Sequence, residues 1–229
     1  MKTWTVRDVM TRPAVAVDRD ASYRNMVDLL ADMRISALPV IDEAGRVVGV
    51  VSETDLLRKI EYAGGAEPRI FDGPRRRDER RRSQGHIAVE LMSAPPVVVT
   101  SDTSITAAAR IMDQAGVKRL PVVDEHGRLI GIVTRGDLLK VHLRTDEEIL
   151  ADVRTGVLDR FLTEDTATVV VAVVNGVVTL AGTVDRWSAA DIAARLSRQV
   201  AGVVDVVSTL DYRTDDRQAY GSRLDFGAL

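Results

Sequence analysis

Two short stretches combine residue types able to do chemistry, Ser52-Glu-Thr-Asp55 and Thr134-Arg-Gly-Asp137. Each puts a hydroxyl three residues ahead of a carboxylate, after a β-type run and where a helix is about to start. A hydroxyl beside the free N–H groups of a helix N-terminus can hold a phosphate oxygen. A carboxylate only accepts hydrogen bonds, so it can take both from a ribose diol. The same Ser/Thr-x-x-Asp spacing also caps helices, with the hydroxyl at the N-cap and the acid in the first turn. One residue can do both jobs. Nothing in the chain is arranged for catalysis. Cysteine is absent, which excludes thiolate nucleophiles, disulfides and cysteine-based zinc sites. His86, His126 and His142 show no HxxxH or HExxH spacing. The expectation is a binding protein, not an enzyme.

Both stretches lie in an internal repeat. At an offset of 82 residues, Met10–Lys59 aligns without a gap over Met92–Val141, with 18 identities in 50 positions. Leu38–Leu57 over Leu120–Leu139 is the densest part, and a match this long signals duplication. Each copy begins with a short apolar run containing proline (13–17, 95–99), read as a strand. Asp20-Ala-Ser22 and Asp102-Thr-Ser104 then offer N-cap oxygens. Met26, Val27, Leu30 and Met33 recur at helical spacing, as do Ala108, Ile111, Met112 and Ala115. Leu38–Ile41 and Leu120–Val123 are strands; Gly45 and Gly127 mark hairpin turns into Val47–Val51 and Leu129–Val133. A second helix opens at Asp55 and Asp137. The order is β-α-β-β-α, twice.

Between the copies, residues 61–85 lack apolar periodicity and read as an exposed linker. From Arg69 to Arg82 this linker has seven arginines against three acids. The repeat stops after Arg144. Asp146–Leu162 carries a helical stripe of Ile149, Leu150, Val153, Val157 and Leu158. Two β-rich runs (167–174, 177–184) flank Asn175-Gly176, a strong two-residue hairpin signal. Ser188–Val200 is a second amphipathic helix, and Val203–Leu210 a last strand. This third unit is α-β-β-α-β. Residues 213–229 are expected to form a frayed tail.

The duplicated L-P-V-x-D-x-x-G-x-x-x-G-x-x-S/T-x-x-D-L pattern resembles a tandem pair of cystathionine-β-synthase (CBS) domains. In the third unit, VNGVVTLAGTV (174–184), the alanine-rich helix and VAGVVDVVSTL (200–210) resemble a BON domain. The implied architecture is α/β (α+β): CBS repeats at 1–60 and 86–144 packed as a pseudo-twofold pair, then a small BON domain at 145–212.

The resemblance implies that Ser52 or Thr134 contacts phosphate and that Asp55 or Asp137 holds ribose. It places adenine against Val17, Ala37, Leu38 and Pro39 in the first copy. In the second it uses Val99, Thr100, Arg119, Leu120 and Pro121. It also implies an adenine nucleotide ligand (AMP, ADP or ATP, with Mg2+ in the last case) and a homodimer through the CBS helices, with Val27, Leu30 and Met33 supplying contact. Charge ranks the second copy as the anion site. Arg135 stands where the first copy has Glu53, Thr100 where it has Asp18, and Lys118 and Arg119 where it has Ser36 and Ala37.

A net charge of −3 does not favour nucleic acid as a partner. No apolar run is long enough for a secretory signal or a membrane span, so a cytoplasmic protein is expected. BON domains are associated with membrane surfaces, but acids outnumber arginines in the third unit, which disfavours attraction to anionic lipid. The expected function is adenine-nucleotide sensing relayed through the BON domain to an unidentified protein partner. The alternative is a ligand-free dimerisation scaffold that presents the BON domain to a partner or membrane.

Overall fold

The computed structural model describes residues 4–62, 82, 84–162 and 168–217. These fall into two compact units, Thr5–Leu138 and, from Leu139 onward with Trp4, a second. Most of the expected linker and the tail beyond 217 lie outside the described residues. No described helix is long and apolar enough to cross a membrane.

In the first unit, the first repeat comprises α1 (Val6–Val9), β1 (Val17–Asp18), α2 (Tyr23–Met33), β2 (Ala37–Ile41), β3 (Val47–Ser52) and α3 (Glu53–Tyr62). The second comprises α4 (Ala88–Leu91), β4 (Val99–Thr100), α5 (Ile105–Gln114), β5 (Arg119–Val123), β6 (Leu129–Thr134) and α6 (Arg135–Leu139). The expected β-α-β-β-α order is present, preceded in each copy by one helical turn too short to show a period. The leading strands are only two residues long and start at the last residue of each expected run.

Local chemistry explains the elements. Ser22 and Ser104 Oγ accept from the N–H groups of Asn25 and Ala107, capping α2 and α5. Asp42 Oδ1 accepts from the N–H groups of Ala44 and Arg46, and Asp124 Oδ1 from those of His126 and Arg128, so each carboxylate ties off a hairpin turn. Gly45 and Gly127 complete these turns at φ 76° and 77°. Each sheet runs in order β1-β2-β3 or β4-β5-β6, its first pair parallel and its second antiparallel.

The repeats are joined by reciprocal hydrogen bonds. Leu129 N donates to Gly45 O, and Val47 N to Gly127 O. Thr11 bridges Ile132, as its counterpart Ser93 bridges Val50; Thr5 bridges Ser104, as Ile87 bridges Ser22. The segment leading each repeat is therefore attached to the other repeat, which realises the expected pseudo-twofold pair. Ala88 and Leu91 of the second copy complete the first copy's core beside Met26, Leu38, Val40 and Val51. The helical stripe is narrower than expected: Met26 and Leu30 are buried, while Val27 and Met33 are exposed.

In the second unit, α7 (Asp146–Val153) continues through a π-turn (Arg154–Leu158) into α8 (Asp159–Phe161), where a single helix was expected. Then come β7 (Val169–Val174), β8 (Val177–Arg186), α9 (Trp187–Ser197) and β9 (Asp205–Thr214). The sheet order is β7-β8-β9, with β9 parallel to β8. Asn175 and Gly176, both at positive φ, make the hairpin, and Asp146 accepts from both of their N–H groups at 2.8 Å. The tail departs from expectation at its start. Strand β9 runs to Thr214, and Asp216 accepts from Ser188 N and Oγ, capping α9. Val153, Val157, Val178, Leu180, Val184 and Ala193 form the core.

Candidate functional site

Ser52 ends β3 and opens α3, and the Ser-x-x-Asp spacing closes a ring there. Asp55 Oδ2 accepts from Ser52 N at 2.9 Å and from Ser52 Oγ at 2.6 Å. Asp137 Oδ2 accepts from Thr134 N at 2.9 Å and from Thr134 Oγ1 at 2.7 Å. The capping geometry is thus present in both copies, and both aspartates are buried. Asp55 Oδ1 accepts from Arg58 Nη1 at 3.1 Å, and Arg82 Nη1 lies 3.8 Å away.

The Ser52–Asp55 ring borders a cleft of about 420 Å³ between the repeats. One wall is the first copy's own: Ser36, Ala37, Val50, Glu53, Thr54 and Arg58. The facing wall comes from the second copy: Ser93, Pro95–Val97 and Gly116–Arg119, with Arg82 from the inter-repeat segment. Prolines and valines supply apolar surface suited to a flat base. Arg58, Arg82, Lys118 and Arg119 supply cations suited to phosphate. Arg119 Nη2 donates to Ser36 Oγ, tying the two walls together. Burial draws the Arg119 guanidinium below its usual pKa and Glu53 opposes that; arginine remains charged at neutral pH.

Strand register sorts the other expected residues. Ala37 pairs with Ser52 and Arg119 with Thr134. Side chains alternate faces along a strand, so Ala37 shares the Ser52 face while Leu38 and Leu120 point to the opposite one. Both leucines are wholly buried. Val17 and Val99 pair with Val40 and Val122 on that inner side and are also core. Pro39 and Pro121 are buried within β2 and β5. Thr100 is exposed, its hydroxyl 3.2 Å from that of Thr103.

The charge ranking made from sequence meets a different geometry. Lys118 and Arg119, counted there for the second copy, line the first copy's cleft. Asp18, counted against the first copy, lines a separate open hollow with Asp20, Asp42 and Glu43. Arg135 is exposed and donates to Val117 O at 3.1 Å. The facing wall of Ser93, Pro95–Val97, Gly116 and Val117 was missed. Its one signal was the repeat itself, since a duplicated pair closes its site with the other copy's residues.

The CBS domain model matches residues 6–62 and 87–144, just over half of the chain. The chain belongs to the CBS-domain family. A BON domain model matches residues 145–214, so a CBS pair is followed by a BON domain. The chloroplastic CBS domain-containing protein CBSX2 of Arabidopsis thaliana is 32% identical over 163 residues, 63% of this chain and 66% of that protein. CBSX1 from the same plant is 33% identical over 159 residues, 62% of this chain and 65% of that protein. The match thus spans just under two thirds of these relatives. A crystal structure of CBSX2 in complex with AMP superimposes with a TM-score of 0.53 at 34% identity, covering 61% of this chain and 97% of that one.

Proposed function

We propose that this protein is a regulatory adenine-nucleotide binder, not an enzyme, whose CBS pair takes AMP, ADP or ATP in the Ser52–Asp55 cleft. The observation that carries this reading is that one hollow joins a hydroxyl–carboxylate ring, an apolar wall and four cations. The AMP complex of CBSX2 supports it by analogy. Among the described residues no group of acids or histidines is placed to hold a metal. With ATP, a magnesium ion would arrive on the phosphates.

Ligand binding would bias the arrangement of the two repeats through unequal affinity for two states, and the BON domain would carry that bias to a partner. The chain would act as a homodimer in the cytoplasm. Leu30 is committed to the core, so the contact would fall to exposed Val27, Met33, Leu57 and Ile60.

The test is a thermal-unfolding series with AMP, ADP, ATP, S-adenosylmethionine and NAD. A ligand at 100 times its Kd stabilises by about 2.7 kcal/mol. Stabilisation by an adenosine phosphate is the expected result, and no shift with any compound would sink the reading. The scaffold alternative draws on one observation: both aspartates are already engaged by their own caps. It predicts no shift, together with retention of residues 145–214 on liposomes or on a protein partner.

A further inference from the structure

We propose that Arg144 couples the BON domain to the CBS pair, by fastening to the BON domain both places where the chain passes between the two units. Its regulatory use rests on the ligand reading given above; the coupling itself does not.

The chain passes between the units at Trp4–Thr5 and at Leu138–Leu139. The second passage falls inside a helix. Strand β6 ends at Thr134, α6 (Arg135–Leu139) follows at once, and a 3-10 turn (Lys140–Leu143) continues it to Arg144. Asp137, in α6, is bonded to Thr134. The chain from that ring to Arg144 is thus helical throughout. The first passage is also held. Thr5 bridges Ser104, Val6 N donates to Thr103 O at 2.8 Å, and Arg7 N donates to Ser101 O at 2.9 Å. The residues after Trp4 are therefore fixed on the second repeat.

Arg144 stands where both passages end. Its side chain is only 12% exposed. Nη1 donates to Ala201 O at 2.7 Å, in the connection between α9 and β9. Nη2 donates to Glu148 O at 3.3 Å and lies 2.8 Å from Asp152 Oδ2, both on α7. Val141, one turn earlier, is buried, and a Cβ at Gly202 would lie 3.0 Å from its carbonyl oxygen, so this stretch runs close against the same connection. The Trp4 ring faces the guanidinium, its centroid 5.9 Å from Cζ and within cation–π range. All these partners belong to the second unit.

In sequence, Trp4 and Arg144 stand at opposite ends of the CBS pair. While the pair is folded, its own hydrogen bonds hold Thr5 and α6, and the contact costs little to make. With the pair unfolded, the same contact would close a very long loop, which costs entropy. The fit of Arg144 in the BON domain therefore depends on the state of the CBS pair, and the dependence is reciprocal.

The experiment needs no ligand. Trp4 and Trp187 are the chain's two tryptophans and both belong to the second unit, so their emission during urea unfolding follows the BON domain. Val51 is wholly buried in a first-repeat core cluster that contains neither tryptophan, and Val51→Ala weakens the CBS pair there. With Arg144 present, Val51→Ala is expected to lower the tryptophan-reported midpoint. In Arg144→Met, which keeps the apolar stem, the same change is expected to produce at most about half that shift. Should Arg144→Met fail to fold, Trp4→Leu carries the test, with Trp187 as the probe and a reduced shift expected. An arginine that only stabilised the BON domain would, when replaced, lower the midpoint and leave the Val51→Ala shift undiminished; that result overturns the coupling. So does the absence of any shift with Arg144 present, which would mean that the units unfold independently. Because no nucleotide is added, failure of the ligand reading leaves the outcome untouched.

Discussion

Ser52–Asp55 and Thr134–Asp137 close the same ring of hydrogen bonds with nearly the same lengths, yet they meet different neighbours. At the first, Arg58 and Arg82 face the aspartate, and Lys118 and Arg119 reach the cleft from the opposite repeat. At the second, Arg135 stands where the first has Glu53, and it is exposed and turned to the carbonyl of Val117. The difference teaches that a duplicated motif copies the local cap faithfully, whereas the charge around it depends on what the partner repeat brings.

The largest expected effect breaks the comparison at the aspartates. Asp55→Ala should abolish stabilisation by ADP, a loss of about 2.7 kcal/mol at 100 times the Kd, while Asp137→Ala should leave that stabilisation in place. Each variant also loses the carboxylate that closes its ring, and Asp55→Ala takes a partner from Arg58 as well, so the measurement is the ligand-induced shift in unfolding and not the unfolding midpoint. The opposite pattern would favour the charge ranking drawn from sequence.

A second pair of variants tests the exchanged segments. A Cβ at Gly49 would run into Met92 Sδ and lie 3.0 Å from Met92 Cβ, and one at Gly131 would lie 2.9 Å from Met10 Sδ and 3.0 Å from the carbonyl oxygen of Thr11. Each glycine lets the methionine of the other repeat's leading segment lie flat on the strand. Valine at either position should cost about 1–3 kcal/mol in denaturant unfolding. Alanine should already cost stability at both positions, because Met92 Cβ and the Thr11 carbonyl oxygen, which no side-chain rotation moves, each lie 3.0 Å from the added methyl. A neutral alanine at either position would break that likeness.

The smallest effect concerns the hairpins, where the two copies should behave alike. Hydrogen bonds from the backbone N–H groups of Arg46 and Arg128 hold the Asp42 and Asp124 carboxyls below their ordinary 3.8. A lowered folded-state pKa contributes stability that is present above the unfolded value and is lost as pH falls through the folded value. Both carboxylates should therefore titrate below 3.8 by NMR, and Asp42→Asn and Asp124→Asn should flatten the acid limb of stability equally.

Much of this was legible in the residues. The 82-residue offset, the glycine turns, the serine caps and the Asn175-Gly176 hairpin each rest on a few adjacent positions, and each folds as expected. Strand alternation was legible too: Leu38 and Leu120 follow directly after Ala37 and Arg119 and so face inward. The single turns α1 and α4 were invisible, since four residues cannot display a period. The tail from 213 was read as frayed because its apolar pattern fades, yet Asp216 is held by polar bonds to Ser188.

From sequence alone came the duplication, the strand and helix order of both units and the two hydroxyl–carboxylate pairs. These depend on hydrogen bonds and packing between near neighbours, whose spacing is written along the chain. Tertiary structure decided which cations serve which aspartate. Arg58, Arg82, Lys118 and Arg119 come together only because each leading segment crosses to the other repeat and the two hairpins pair about a pseudo-twofold axis. That meeting is fixed by long-range pairing, and no local spacing encodes it.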